Sequence, residues 1–578
     1  MPILWFKKKN KSRKDNSCTS NFYFDDSLSF SSITSCGSGR ALVGNTKLLE
    51  ERLKRYEDES GEVNNTLKLT DRVSCLRKNR ENEVSKAIIN IEDSMNVDLC
   101  FVLDCTCSMY EYITAAKEHI LKVASYVNRN NSNIKFWIGF CGYRDHSDGR
   151  NRLQILNFTS SYKKFKSYIT HKVAAMGGGD FPEDVLGGLN AAVTNMTWNN
   201  ATRILIHIGD APPHGRRYTT NGSIVYDKFD RYPKGDPNGL TAESILEKMQ
   251  EKKILYHFGK INDSTDIMLN VFREIIGEFP IFDLETTGGD PALLVNKFFK
   301  ATCSAIFTSV ALTTLKTSKK IYSLQRKKLE INPDEPDWTT LSEKTGELLS
   351  YVLPTSLDEI KDECYFINTN FTVKTIPFKL ASEPFSVGAE RYAYFAIDTS
   401  LEQTDKPDKL VIKEYHDVKI GSVELYLESV EISSVASFLS TKFNIAAKRV
   451  GIDKKVTFID VKVLRDKTDS DTYYSVEKYI SNAEFKRFNV NSGIITEFHS
   501  ILEAFAHFTY KYTEGYLVVY DLQGVDLDDE FILTDPAIHC IDVLRFGVTN
   551  LGKRGIEKCF LANHKCNDIC KKLKLKLK

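Results

Sequence analysis

Lys413, Asp521, Gln523 and Asp535 have the side-chain types that phosphoryl transfer needs, and they fall in order along the C-terminal third of the 578-residue chain. Lys413 ends the apolar run Leu410-Val411-Ile412. A strand would hold its ammonium rigidly against nucleotide phosphates, although a lone lysine there could also be a solvated charge. Upstream, Phe385-Ser386-Val387-Gly388-Ala389-Glu390-Arg391 is a glycine turn whose basic residue could cover phosphates. Asp521 and Gln523 lie in Tyr520-Asp521-Leu522-Gln523-Gly524-Val525, and in an extended chain they project to one side. Asp535 follows on the loop Thr534-Asp535-Pro536. Two carboxylates and an amide oxygen can hold Mg2+ and orient a hydroxyl nucleophile, which is most of what phosphoryl transfer asks of a protein. The usual protein-kinase words are missing: there is no His-Arg-Asp loop and no Asp-Phe-Gly. Gly547-Val548-Thr549-Asn550-Leu551-Gly552-Lys553-Arg554 nearly reads as a P-loop, but Arg554 stands where a Ser or Thr should hold the metal.

Two further constellations could bind metal. His564, Cys566 and Cys570 bring three zinc-ligand side chains together near the C-terminus, and the two cysteines, four apart, would share one helix face. A closed structural zinc needs a fourth ligand, for which His507 on an earlier helix is the candidate. Buried thiols beside a satisfied histidine are the plainer alternative. Near the other end, an apolar strand runs into Asp104-Cys105-Thr106-Cys107-Ser108-Met109. One carboxylate and two hydroxyls on a tight loop are the oxygen ligands that Mg2+ takes. Asp210 ends another strand, and the acidic loop Gly177-Gly178-Gly179-Asp180-Phe181-Pro182-Glu183-Asp184 lies between. Thr106 and Ser108 could instead only cap the helix that follows. A phosphatase loop fails, because neither Cys105 nor Cys107 has an Arg six residues on. An aspartyl-phosphate site fails, because Thr106 stands where a second Asp belongs.

These residues need rigid elements to position them. Apolar runs at 97–103, 134–141, 153–158, 203–208 and 254–258 read as strands buried on both faces. Helical segments at 111–127, 183–196, 241–252, 264–276 and 291–313 alternate with them, which predicts a doubly wound α/β domain over 95–315. Residues 316–370, broken by Pro333, Pro336 and Pro354, read as a linker. From 371 to 578 the pattern is α+β: strands at 387–397 and 408–415, a helix at 421–446, strands at 456–465 and 472–480, and a helix-rich end. Residues 1–94 read as a basic, mostly disordered leader with a short helix at 48–55. A solvated tail is the default for its basic start, with Trp5 and Phe6 offering a weak peripheral hold on anionic membrane. With 78 basic and 77 acidic side chains the chain lacks the broad positive field of a non-specific nucleic-acid binder. No apolar run is long enough for a membrane helix, and the 13 scattered cysteines suit a reducing, cytoplasmic setting.

The Asp-x-Thr-x-Ser-Met loop, the Gly-Gly-Gly-Asp-x-Pro-Glu-Asp loop and Gly209-Asp210-Ala211-Pro212-Pro213-His214-Gly215 resemble the von Willebrand factor A domain. That resemblance implies Asp104, Thr106 and Ser108 as first-loop cation ligands, Asp210 as an acid that binds the ion directly or supports a ligand, and a protein partner whose carboxylate completes the ion. It leaves the third-loop ligand open among Asp180, Glu183 and Asp184. Residues 371–573 resemble the alpha-kinase family, through the glycine turn, the strand lysine, Val476-Glu477-Lys478-Tyr479-Ile480, Asp521-Leu522-Gln523-Gly524-Val525, Leu533-Thr534-Asp535-Pro536, the Gly547–Gly552 loop and His564-x-Cys566-x-x-x-Cys570. The resemblance implies a two-lobed serine/threonine protein kinase. Lys413 and Arg391 would contact ATP phosphates, Glu477 and Tyr479 the adenine hinge, and Gln523 and Asp535 Mg2+. Asp521 would be the catalytic carboxylate, with Asp535 a second candidate base. Gly547 to Gly552 would help bind substrate, and His507, His564, Cys566 and Cys570 would hold structural zinc. The pairing resembles the von Willebrand factor A alpha-kinases, which implies a cytoskeletal acceptor such as myosin heavy chain and leaves self-association open. The rival reading is a metal-dependent scaffold whose kinase fold has lost turnover.

Overall fold

Leu69–Ser94 (α1) is a 26-residue helix, the first element of a computed structural model that describes residues 69–576 apart from 220–229, 286–290, 319–330, 363–364, 366–370, 389–390, 401–407, 416–422, 469–471 and 481–483. The basic start, Trp5, Phe6 and the expected helix at 48–55 lie outside the described residues. α1 departs from the expectation of a leader: Leu76, Val84, Ile88 and Ile91 are buried and recur along one helical face. Its apolar residues are sparse among charges, so the stripe is faint in the sequence.

Six strands follow: β1 (Asn96–Asp104), β2 (Lys135–Tyr143), β3 (Leu153–Thr159), β4 (Thr202–Gly209), β5 (Leu255–Lys260) and β6 (Ile281–Asp283). Their order is β3-β2-β1-β4-β5-β6, parallel except for the β2–β3 pair. Every position of β1 but the first is buried, because both faces are covered. Between the strands run α2 (Tyr110–Asn130), α3 (Tyr162–Lys172), α4 (Val185–Asn195), α5 (Ala242–Glu251) and α6 (Asp266–Ile276), and α7 (Pro291–Ser318) comes after them. Leu99, Phe101 and Leu103 share one core with α1, α2 and α7. Cys100 and Val102 share the other with α4, α5 and α6. Alternating side chains thus serve two apolar layers, and the C-terminal ends of β1 and β4 are free to present Asp104 and Asp210.

The second unit begins earlier than expected. β7 (Lys344–Tyr351) lies inside the stretch read as linker, and it pairs antiparallel with β8 (Phe371–Leu380) and with β13 below. Its mixed sequence hides it, because a strand with one buried face needs few apolar residues. β9 (Ser386–Val387), β10 (Arg391–Asp398) and β11 (Asp408–Tyr415) follow, then α8 (Val423–Arg449), β12 (Lys455–Phe458), β13 (Lys462–Asp466) and β14 (Thr472–Lys478). The order β11-β14-β13-β7-β8-β10-β9, with β11 also paired to β10, closes the sheet on itself. The remaining elements are β15 (Phe485–Arg487), α9 (Ser500–Tyr512), β16 (Leu517–Tyr520), β17 (Gln523–Asp526), β18 (Glu530–Thr534), β19 (Ala537–Cys540), α10 (Gly552–Gly555), a π-helical turn Ile556–Leu561 and α11 (Asp568–Lys572). They form a lobe whose core joins α8 and α9 to β12, β16, β18 and β19. No helix among the described residues is long and apolar enough to cross a membrane, and the cysteines among the described residues are free thiols.

Candidate active site and metal centres

The strand register brings Lys413 to its partners. Lys413 lies opposite Ser475, and Val411 opposite Glu477, across the β11–β14 ladder, so Lys413 and Glu477 share a face. The Lys413 Nζ is 2.7 Å from Glu477 Oε1 and 2.7 Å from Asp535 Oδ2. Glu477 Oε2 accepts a 2.6 Å bond from the Thr534 hydroxyl. Arg391 reaches across from β10: one guanidinium nitrogen is 2.7 Å from Asp535 Oδ1, and the other donates to Ser475 Oγ at 3.2 Å. Burial pushes the Asp535 carboxyl up, but the Arg391 and Lys413 charges override it and hold the group well below the usual carboxylate range. Gln523 donates its amide to the Asp535 carbonyl at 3.1 Å. Asp521 stands 3.3 Å from Arg487 Nε.

The cleft therefore unites Lys413, Arg391, Gln523 and Asp535, with one departure from expectation. Asp521 and Gln523 do not share one extended strand: β16 stops at Tyr520, β17 starts at Gln523, and Asp521 between them has φ 54°, so shared strand polarity does not aim its carboxylate. Asp535 has φ 47°, and this sparsely populated backbone at both acids turns each carboxylate out of its strand line. β17 needs Gly524 where it pairs with β18, because a Cβ there would lie 2.0 Å from the Ile532 carbonyl oxygen. The Glu477 carboxylate is committed to Lys413 and Thr534 and so fixes the lysine. The Tyr479 amide donates to the Lys409 carbonyl at 2.9 Å, and its ring packs edge-on to Phe395.

His507, His564, Cys566 and Cys570 converge, their ligand atoms all within 4.8 Å of one another. Cys566 Sγ is 3.7 Å from His507 Nδ1, and Cys570 Sγ is 3.7 Å from His564 Nε2. A tetrahedral zinc site has N···S edges of about 3.6 Å, so the four groups fit. Burial, then the neighbouring His564, holds His507 down to about 4, in its neutral ligating form. Glu503 Oε2 lies 3.6 Å from the other nitrogen of His564, placed to orient the ring. The shared-face argument for the cysteines fails, because Cys566 precedes α11, whose cap is Asn567.

At the head of β1, Asp104 Oδ1 accepts from the Thr106 amide at 2.9 Å and its hydroxyl at 2.7 Å, and Thr106 Oγ1 is 3.2 Å from Ser108 Oγ. Neither hydroxyl caps the helix: no side-chain cap bond forms at Thr106 or at Met109. Asp104 Oδ2, Glu183 Oε2 and Asp210 Oδ1 are buried without a hydrogen-bond partner. Burial and the Asp210 charge push Asp104 up to about 7, and burial and the Asp104 charge raise Glu183. The buried Arg144 charge offsets this only in part, since its guanidinium donates to the carbonyls of Cys105, Asn151 and Ala174. Of the three acids in the glycine loop, only Glu183 joins Asp104. Its backbone amide is tied to the Pro212 carbonyl at 3.0 Å. Asp180 accepts from the Arg231 amide at 2.7 Å, and Asp184 caps α4 and pairs with Arg152 at 2.7 Å. Beside this cup, His214 bridges Asp145 (2.9 Å) and Asp230 (2.7 Å), and His146 lies 3.4 Å from Asp184 and 3.2 Å from Asp236. Sequence reading missed both histidines, whose partners are remote in the chain.

Comparison with known proteins agrees with this division. The von Willebrand factor A domain profile matches residues 98–221 and the alpha-kinase family profile matches residues 386–570. The chain is 33% identical over 519 residues to alpha-protein kinase vwkA of Dictyostelium discoideum, covering 86% of this chain and 79% of that one. It is 33% identical over 218 residues to myosin heavy chain kinase B of the same organism, covering 36% of this chain and 27% of that relative. The solved alpha-kinase domain of myosin heavy chain kinase A in complex with ADP is 28% identical, covering 41% of this chain and 99% of that chain at a TM-score of 0.33. The chain is a protein kinase of the alpha-kinase family, a member that carries a von Willebrand factor A domain ahead of its kinase domain.

Proposed function

We propose that Lys413 and Arg391 hold the triphosphate of ATP, that Gln523 and Asp535 hold its Mg2+, and that Asp521 takes the proton of a protein serine or threonine hydroxyl. The observation that carries this is the closed set Lys413–Asp535–Arg391. Two cations on one carboxylate are a pair of phosphate-binding groups held in waiting. Triphosphate draws them off Asp535, and the released carboxylate then faces the Gln523 amide. Mg2+ supplies charge neutralisation on the phosphates when bound. Glu477 and Thr534 keep Lys413 aimed through the exchange, and Tyr479 borders the place for adenine. The Gly547–Gly552 loop binds the acceptor protein. Myosin heavy chain, or another cytoskeletal protein, is the acceptor we favour, because relatives that match the kinase segment are named for phosphorylating it.

We read the six-stranded sheet with helices on both faces as doubly wound, and its cup as a divalent-cation site. Asp104, Thr106, Ser108 and Asp210 are joined there by Glu183 as the third-loop ligand, and a partner's carboxylate completes the ion for docking. We place the kinase unit's start at Lys344, ahead of the expected 371. The four His and Cys groups hold structural zinc. A cytoplasmic protein in peripheral contact with a membrane through its basic start, self-associating through the A domain, is consistent with this. Purified chain with Mg2+-ATP labels itself, and Lys413→Ala removes about a thousandfold of that rate; equal labelling of both proteins discards the kinase chemistry. Asp104→Ala weakens partner capture without changing ATP turnover, and capture that ignores both the substitution and chelator discards the docking role.

A further inference from the structure

α1 lies outside both matched segments, yet one of its side chains enters the kinase unit. The Arg80 guanidinium donates to the Val548 carbonyl at 2.6 Å and to the Asn550 carbonyl at 3.2 Å. Glu83, one turn on, holds its other terminal nitrogen at 3.0 Å, and the Arg80 side chain is only 11% exposed. The carbonyl between those two, Thr549, accepts from Asn491 at 2.9 Å. Three consecutive carbonyls of the Gly547–Gly552 loop are thus tied to side chains, two of them by a residue more than 460 positions upstream. The rest of the loop is already shaped from within. The buried Asn550 side chain accepts from the Cys540 and Gly552 amides and donates to the Asp542 and Arg545 carbonyls. Gly547 has φ 71°, and a Cβ there would meet Glu428 of α8 at 2.2 Å.

The contact is not isolated. Arg77 lies 3.3 Å from Asp542 and Glu92 lies 2.9 Å from Lys558. Val84, Ile88 and Ile91 of α1 belong to one buried cluster with Leu551, Cys559, Val490 and Ile494. At the C-cap of α2, the buried Asn131 makes a two-way clasp on the Ile495 backbone, donating to its carbonyl at 2.8 Å and accepting from its amide at 2.6 Å. A charged fork on two carbonyls satisfies acceptors that no donor of the loop itself reaches.

We propose that Arg80 is a positioning residue for the acceptor-protein loop, so that α1 is a working part of the kinase. This rests on the reading of 547–552 as the substrate loop. Without the fork, the Val548 and Asn550 carbonyls lose their fixed donors and the loop samples other shapes. Acceptor binding then weakens, while the nucleotide cleft, built from other strands, stays intact.

The test uses the full chain, Mg2+-ATP and myelin basic protein as hydroxyl acceptor. Arg80→Ala should raise the KM for the acceptor about tenfold, leave the KM for ATP within twofold and speed hydrogen exchange at the 548–552 amides. Arg80→Lys, which keeps one charged donor, should recover part of both effects. Thr549→Glu, in the middle of the loop, tests the underlying reading. If Thr549→Glu raises the acceptor KM and Arg80→Ala does not, the brace is wrong and the loop's role stands. If neither variant moves it, the loop's role is wrong. Unchanged exchange at 548–552 in Arg80→Ala overturns the brace in either case.

Discussion

The two carboxylate clusters of this chain follow opposite electrostatic plans. In the kinase cleft, Asp535 has a lysine and an arginine within 2.7 Å, and its charge is stabilised without any ligand. In the A-domain cup, Asp104, Asp210 and Glu183 each keep a buried oxygen without a partner, and burial with the neighbouring acids makes Asp104 and Glu183 costly to ionise. On the function proposed above, one cluster supplies its own cations and releases them to phosphate, and the other takes a cation from solution. Acids alone do not mark a metal site. What marks it is a buried acid that no side chain neutralises.

Metal removal should separate the two regions most strongly. A zinc-selective chelator should lower the melting temperature of the kinase unit by about 10 °C, because it leaves His507, His564, Cys566 and Cys570 facing one another around an empty centre. The A domain should not respond to it. Metal analysis should find one zinc per chain, and a zinc-free chain that melts unchanged would remove the metal from the account of this lobe.

Replacing one carboxyl of each cluster by its amide should then act in opposite directions. With divalent cations chelated, Glu183→Gln should stabilise the A domain by about 1–2 kcal/mol, since it removes a carboxyl that burial and the Asp104 charge make costly to ionise. Asp535→Asn should destabilise the kinase unit, since it leaves Lys413 and Arg391 facing a neutral group. The Asp535 side chain is 30% exposed, so solvent screening keeps that loss near about 1 kcal/mol. Differential scanning calorimetry with chelator and then with Mg2+ reads both. Adding Mg2+ should reverse the ranking in the A domain, because Glu183→Gln then lacks a ligand. Shifts of the same sign in both units would refute the contrast.

Legibility in the sequence followed the same divide between local and distant contacts. Continuous apolar runs exposed five of the six strands of the first unit, since burial on both faces leaves a strong signal, and the three-residue β6 is too short to leave one. β7 stayed hidden because its polar face is solvated, and α1 because its apolar positions are spaced among charges. The cleft residues Lys413, Gln523 and Asp535 were readable as chemical types in strand-end contexts. That Glu477 would clamp Lys413 was not, because it depends on cross-strand register, which the order of residues does not state. Glu183 was one of three equivalent acids in a glycine loop until the fold sent Asp180 to an amide and Asp184 to a helix cap. Arg80 had no local pattern at all, only a partner far away in the chain.

The two units also differ in pH dependence, with opposite signs. In the kinase unit the buried His539 donates from Nε2 to the Asn491 carbonyl at 3.0 Å, and its Nδ1 accepts from the Leu551 amide at 3.2 Å. Burial lowers it from 6.5 to about 4. The folded state therefore holds neutral imidazole while the unfolded chain binds a proton near pH 6.5, so stability is full above that pH and falls as pH drops toward 4. Complete loss across the window amounts to about 3 kcal/mol. In the A domain, kept free of divalent cation, Asp104 is raised to about 7. Its favoured folded form is protonated, so its contribution is full below the unfolded carboxylate value near 4 and is lost as pH rises toward 7. The buried His207 and His257 of that domain, lowered to about 3 and about 4 by burial, oppose this trend, so the acid's contribution is isolated by difference. Subtracting the pH profile of Asp104→Asn from that of the parent chain, both in chelator, should leave a curve that falls between pH 4 and 7. Added Mg2+ should flatten it, because the ion displaces the proton in the folded state. Hydrogen exchange at β16 and β19 gives the kinase-side profile in the same samples. A difference curve that rises with pH would mean that Asp104 is already ionised in the fold, and that the cup has no need of a cation.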